Sequence, residues 1–334
     1  MLRDILRGED EQIAAVTDVI AAAGPDLLVL QRFDYDYDLA ALNGFADVLR
    51  QKGADYPFLF ARQPNSGMAT GLDMDGDGRL GSPRDAQGYG RFAGQGGMAV
   101  LSKYPILQDE ARDFSGILWK DLPETLIPEK DGAPFPSAGA QAVQRLSSVA
   151  HWEVPVRLPD GTVLRLLAWH ATPPVFDGPE DMNGRRNHDE AAFWRLYIEG
   201  RLGVRPADSA FVLLGDANLD PVDGVGRPEA ISALLAHPLL QDPDPQSEGG
   251  TAASRRQGGA NARQRGNPAS DTVDWPDEGT SPGNMRVDYV LPSRALRVKR
   301  AGVFWPESGP MAATVEAASR HRLVWVDLDV PATP

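Results

Sequence analysis

The stretch that most constrains this chain is Phe211-Val212-Leu213-Leu214-Gly215-Asp216-Ala217-Asn218. Four consecutive apolar residues bounded by a glycine predict a short strand buried on both faces. Gly215 lets the backbone turn, and Asp216 and Asn218 follow one residue apart at the strand's exit. A carboxylate and an amide in that position can hold a water and hydrogen-bond an anionic substrate. The same residues also make an ordinary polar turn, so their meaning depends on what the other strand ends carry.

Composition narrows the field. With 334 residues, 42% of them hydrophobic, the chain can bury a large core, and residues 1–334 are read as a single domain. Long loops are expected at 63–97, 121–140 and 241–286, where Gly, Pro and polar residues concentrate. A formal net charge of −14 repels a phosphate backbone, so long nucleic acid is a poor partner. A small phosphorylated or other anionic substrate, met by a local basic patch, is the expected partner of a monomeric protein. The absence of cysteine excludes disulfides and thiolate metal sites. The first ten residues are too charged for a signal peptide and no run is long enough to span a membrane. The compartment stays open.

Along the chain, Asp10 caps a predicted helix over 10–23 that Gly24-Pro25 ends. Leu27 to Leu30 is a buried strand whose exit carries Arg32. Asp73, Asp75 and Asp77 alternate as at the start of a calcium loop, with Gly78 at the sixth position. Arg84 stands where such a loop needs its twelfth ligand, and Asp85 comes one residue late. Structural Ca²⁺ and a solvated acidic turn are both open there. Met98 to Leu101 is another strand. Trp152–Arg157 and Val163–Trp169 read as paired strands around Pro159-Asp160-Gly161, the second delivering His170. Asn187 and Glu190 have capping-box spacing for a helix burying Phe193, Leu196 and Tyr197. Asn183, Arg185, Arg186 and His188 are left over, as cleft residues or partners of nearby acids. Pro228 opens a helix to Ala236. Arg255, Arg256, Arg263 and Arg265 make the 241–286 loop locally basic, as an anion-gripping lid or a solvated loop. Asp288 lies inside the strand Val287–Leu291, where an unpaired carboxylate would be costly. His321, just before the last strand 323–330, is its natural partner, and an Asp–His pair suits a general base or a phosphate donor.

Gly215-Asp216-Ala217-Asn218, Val287-Asp288-Tyr289-Val290, Ser319-Arg320-His321 and His170 after its strand together resemble the endonuclease/exonuclease/phosphatase superfamily. The stretch from Thr172 through Asn183-Gly184-Arg185-Arg186-Asn187-His188 resembles a bacterial branch of it whose members often look exported. The acidic 73–77 loop and Gly94-Gln95-Gly96-Gly97-Met98 also resemble that branch. The similarity runs from about residue 10 to residue 329. It implies an α/β fold, a four-layer α/β sandwich of two packed mixed β-sheets flanked by helices. It further implies a Mg²⁺-dependent phosphoesterase with its site where strand ends of both sheets meet. Asp216 would position or activate the attacking water. Asn218 and His170 would bond the phosphoryl oxygens, and His321, oriented by Asp288, would act as base or bind phosphate. Arg32, Arg320, Asn183, Arg186 and His188 are candidate substrate-binding residues.

Two positions of the resembled metal site are replaced, and its first strand is expected to be missing. A first strand ending in Asn should precede residue 10. Arg32 stands where a metal-binding Glu is expected, and Arg320 where an Asp is expected. A divalent ion ~4 Å from a guanidinium meets roughly 8 kcal/mol of repulsion at an effective dielectric of ~20. That repulsion excludes Mg²⁺, the cofactor the resemblance implies, from its usual place. Either the arginines replace the metal in a phosphoesterase, or the chain is an inactive relative that binds an anionic ligand.

Overall fold

The structure is a computed structural model, and it describes residues 1–204 and 210–331. The longer strands are β1 (Leu27–Phe33), β2 (Phe58–Phe60), β3 (Gly97–Ser102), β4 (Ala150–Arg157), β5 (Val163–His170), β6 (Phe211–Asp216), β7 (Asp288–Pro292), β8 (Arg297–Phe304) and β9 (Leu323–Asp329). The helices used below are α1 (Glu11–Ala23), α2 (Ala40–Gln51), α3 (Met182–Ile198), α4 (Glu229–Leu235), α5 (Glu248–Gln257) and α6 (Pro310–Ala318).

The central sheet runs β7-β6-β5-β4, with the two-residue strand Arg112–Asp113 at its far edge. It is mixed: β5 and β6 are parallel, and the other pairs are antiparallel. The expected β4–β5 pairing around 159–161 is present. Its outer face is sealed by α3 and α4 through Leu167, Trp169, Leu213, Leu291, Phe193, Leu196 and Ile231. The facing layer differs from the expected single mixed sheet. It consists of two antiparallel pieces, β1-β3-β2 and β8-β9. Helices α1, α2 and α6 cover this layer from outside, which completes the four-layer α/β sandwich.

Local chemistry explains these elements. Asp10 accepts a hydrogen bond from Ile13 N at 2.9 Å and caps α1, and Gly24 closes it with φ 60°. Helix α2 packs Leu42, Phe45 and Leu49 inward at spacings of three and four, a helical signal present in the sequence. Asn187 and Glu190 do not cap a helix. Helix α3 begins earlier, at Met182, and both residues are buried within it. The 241–286 region is not one irregular loop, because Ser247 caps α5 by accepting from Gly250 N. The 121–140 region ends in the short helix Ala138–Val143. No helix among the described residues is long and apolar enough to cross a membrane.

Candidate functional site

Strand register brings three charged or titratable side chains into one row. His170 pairs with Asp216 across β5–β6, and Asp216 pairs with Asp288 across β6–β7. Asp216 Oδ2 lies 3.7 Å from His170 Nε2 and 4.0 Å from His321 Nδ1. His321 Nδ1 lies 3.0 Å from Asp288 Oδ2, so the expected Asp288–His321 pair forms. Gly215 is what allows β6 to run this close to β5, because a Cβ there would sit 2.0 Å from the Trp169 carbonyl oxygen.

Three residues that were not anticipated complete the row. Gln31, at the end of β1, donates from Nε2 to the Trp169 carbonyl at 3.1 Å. That leaves its Oε1 to accept from His170 Nδ1 at 3.0 Å. The amide therefore sets the imidazole tautomer: Nδ1 carries the proton and Nε2 faces Asp216 as an acceptor. Thr272, fully buried, donates to Asp288 Oδ2 at 2.8 Å and accepts from the backbone amides of Val287 and Asp288. Trp275 packs edge-on to the His321 ring with centroids 5.8 Å apart. A glutamine after a strand and a threonine in a loop carry no sequence pattern that would single them out.

Environment sets the protonation states. Burial lowers His170 to about 4, since Asp216's pull is outweighed and Arg32 and His321 add repulsion. Burial also disfavours the cation at His321, but Asp288 and then Asp216 overcome it and raise its pKa to about 9. His321 is thus an imidazolium at neutral pH. It is a donor to an anion or a general acid, rather than a ready base. Asp216 is raised, chiefly by burial.

Asn218, in the left-handed region at φ 48°, gives both amide hydrogens to the protein: to Ala171 O at 2.9 Å and Asp216 Oδ2 at 3.1 Å. Its backbone N–H donates to Asp216 Oδ1 at 2.8 Å. It holds the carboxylate in place.

The two arginines part company. Arg32 sits on a bulge of β1, at φ 56° between Gln31 and Phe33, and its exposed guanidinium opposes protonation of both His170 and His321. The Arg320 side chain instead lines an open hollow with Arg256, Trp275, Asp277 and Glu316. The other expected substrate residues lie elsewhere. Arg186 is buried and donates to the carbonyls of Gln87, Arg145, Leu146 and Ser147. Asn183 donates to Val175 O at 2.7 Å. His188 pairs with Asp189 at 2.9 Å. Their role is architectural, as is that of two neighbours in α3. Asn187 Nδ2 donates to Thr172 O and Ala217 O, both at 2.7 Å, and so clips together the loops after His170 and Asp216. Glu190 accepts from Thr172 N and from both the backbone and hydroxyl of Ser148, and burial raises it to about 7.

Asp216, Asp288 and His321 converge closely enough to suggest a metal group. Each carboxylate oxygen is already partly engaged, however. Both Asp216 oxygens accept from Asn218, and both Asp288 oxygens face His321, which carries a proton. With a guanidinium beside them, these residues do not fit the oxygen-rich octahedral shell of Mg²⁺. A second trio, Asp73, Asp75 and Asp85, converges in the acidic loop. Asp85 rather than Asp77 joins it, and Asp77 accepts from Arg79 N instead.

A profile described as the Endonuclease/Exonuclease/phosphatase family matches residues 5–321. Among solved structures, an endonuclease/exonuclease/phosphatase from Beutenbergia cavernae is similar with a TM-score of 0.56 and 17% identity, covering 96% of this chain and 66% of that one. The chain thus spans just under two thirds of that protein's length. An endonuclease/exonuclease/phosphatase family protein from Leptotrichia buccalis is similar with a TM-score of 0.52 and 15% identity, covering 96% of this chain and 93% of that one. At these identities the likeness concerns the fold. No curated protein matches the chain.

Proposed function

The chain belongs to the endonuclease/exonuclease/phosphatase family, whose members are generally hydrolytic phosphoesterases that use a divalent metal such as Mg²⁺, and from that premise we propose a phosphoesterase that works without the family's ion. The substrate is a small phosphodiester or phosphomonoester. The observation that carries this reading is the His170–Asp216–Asp288–His321 row with Arg32 at its rim.

In this reading the Arg32 guanidinium and the His321 imidazolium hold the phosphoryl oxygens. A water in the row donates to His170 Nε2 and Asp216 Oδ2, both of which are acceptors. Its lone pair is then directed at phosphorus, and its proton passes to one of those two groups as the P–O bond forms. The leaving oxygen takes its proton from His321, and Asp288 with Thr272 keeps that ring aligned. Gln31 locks His170 in the accepting tautomer. Arg320 is assigned no part in this step, since its side chain lines the hollow on the Trp275 side.

The test is turnover of a panel of phosphoesters in excess chelator. Activity should persist with EDTA and fall at least ~100-fold in His321→Ala. No turnover anywhere on the panel overturns the proposal. A second reading, an inactive relative that binds an anionic ligand, draws support from Arg32 and from the committed amide of Asn218. It expects inorganic phosphate to raise the melting temperature without any ester being cleaved. The Asp73, Asp75 and Asp85 trio offers carboxylate oxygens to a hard cation and supports a structural Ca²⁺, which would have to displace the Arg84 guanidinium 3.9 Å from Asp75.

A further inference from the structure

A hollow of about 420 Å³ opens between the ends of α5 and α6, the segment 274–277 and the residues just before β9. That volume suits a small ring-bearing molecule. Its place follows from a short antiparallel zipper. Asp274 N donates to Arg320 O at 2.9 Å and Arg322 N to Thr272 O at 2.7 Å, with Val273 opposite His321. Side chains alternate along extended chain, so Arg320 and Arg322 line the hollow while His321, between them, meets Asp288 in the row.

Most of the charge in the hollow is already matched. Arg322, 4% exposed, donates to Asp274 Oδ2 at 3.0 Å and stacks over Trp305 at 4.4 Å. Gln257 donates to the other Asp274 oxygen at 2.8 Å. Arg256 and Glu316 stand 3.7 Å apart at the surface. Two charges are left over. Neither the exposed Arg320 guanidinium nor the half-buried Asp277 carboxylate has a hydrogen bond or ion pair among the described residues. They line one hollow without pairing with each other. Trp275 belongs to the same wall. Its ring packs against Val273, Met285 and Val287 and also lines the hollow.

We propose that this hollow binds a flat nitrogen heterocycle with N–H donors on one edge and an acidic group at the other end. That chemistry is shared by a guanine nucleotide and a pterin carboxylate. An aromatic wall selects a planar ring. An unclaimed carboxylate selects an edge that donates, and guanine and pterin each offer a ring N–H beside an amino group. An unclaimed guanidinium selects the acid. An adenine ring sets a lone pair against Asp277 and is rejected. The site uses neither Arg32 nor any member of the His170–Asp216–Asp288–His321 row, so it stands or falls apart from the phosphoesterase reading. Trp275 also meets His321, with ring centroids 5.8 Å apart, so an occupied hollow holds in place a ring that borders the row.

The test is calorimetric titration of the full chain with GMP, with pterin-6-carboxylate and with AMP. It is repeated in Arg32→Ala, so that phosphate binding at the row is told apart. GMP or pterin-6-carboxylate should bind at least ~10-fold tighter than AMP, and equally well in Arg32→Ala. Arg320→Gln should weaken that binding at least ~10-fold, and Asp277→Asn should remove the preference over AMP. Trp275→Leu should abolish the quenching of tryptophan fluorescence on binding. Arg320 and Asp277 both reach solvent, so their variants should keep the parent's melting temperature. Binding of GMP alone or of the pterin alone supports the proposal and names the source. Binding of neither, equal binding of AMP, an affinity unchanged in Arg320→Gln, or binding lost in Arg32→Ala overturns it.

Discussion

Replacing Asp288 with asparagine should change the charge state of His321, and the size of the effect follows from the geometry. The His321 Nδ1 atom has Asp288 oxygens at 3.0 and 3.2 Å and Asp216 Oδ2 at 4.0 Å. The ring's pKa stands at about 9 against an ordinary 6.5, with burial and Arg32 opposing that rise. Each unit corresponds to about 1.4 kcal/mol, so the raised value represents about 3 kcal/mol of preference for the folded imidazolium. Asp288→Asn removes the largest favourable contribution and leaves the opposing ones. The pKa should fall by at least ~2 units, to near or below the ordinary value. Because the folded pKa is raised, this stability is fully present below pH 6.5 and is lost as pH climbs through 9. The variant should be less stable than the parent by roughly 2–3 kcal/mol at pH 6. The difference should shrink markedly by pH 10. Proton NMR titration of the ring Cε1–H resolves the first claim, and urea unfolding at the two pH values resolves the second. With five histidines in the chain, assignment is simple. A His321 that titrates near 6.5 in the parent, or identically in both proteins, refutes the reasoning.

Other perturbations separate scaffold from chemistry. Arg32→Ala should weaken inorganic phosphate binding at least ~10-fold by calorimetry while leaving the melting temperature within a few degrees. Gly215→Ala drives a Cβ to 2.0 Å from the Trp169 carbonyl and should cost roughly 3 kcal/mol in urea unfolding. Asn187→Ala removes the buried amide shared by Thr172 and Ala217 and should cost about 2 kcal/mol, with a fall in any turnover larger than the loss of stability explains. Ca²⁺ should raise the melting temperature of the parent and have no effect on Asp85→Asn, as read by calorimetric scans.

How far the residues spoke for themselves varied with the kind of signal. Capped helices and strands with unbroken apolar runs were legible. Asp10 and Gly24 bound α1 where expected, and the run Phe211 to Leu214 lies in β6. Helix α2 carried an equally readable spacing in Leu42, Phe45 and Leu49. The site residues Asp216, Asp288, His170 and His321 stood out because acids and imidazoles at strand ends are chemically conspicuous. Gln31 and Thr272 did not, since their importance lies in which neighbour each one reaches through the fold. The polar run in α3 misled for the reverse reason. Arg186, Asn187 and Glu190 have the composition of a cleft, but they satisfy backbone groups inside the protein. Charge in a sequence does not say which way a side chain faces. Arg320 shows the same: it neighbours His321 along the chain and points to a different hollow.

The amide of Asn187 ties down the first residues after His170 and Asp216. After Ala217 the chain stays held, since Leu219 O accepts from Tyr289 and Asp220 accepts from the Arg286 amide, whereas residues 176–179 after Thr172 are exposed and can change without moving the groups behind them. If the chain is the phosphoesterase proposed above, recognition of one ester over another can drift through the exposed residues 176–179. Grafting that short segment from a relative is a practical way to retarget this scaffold.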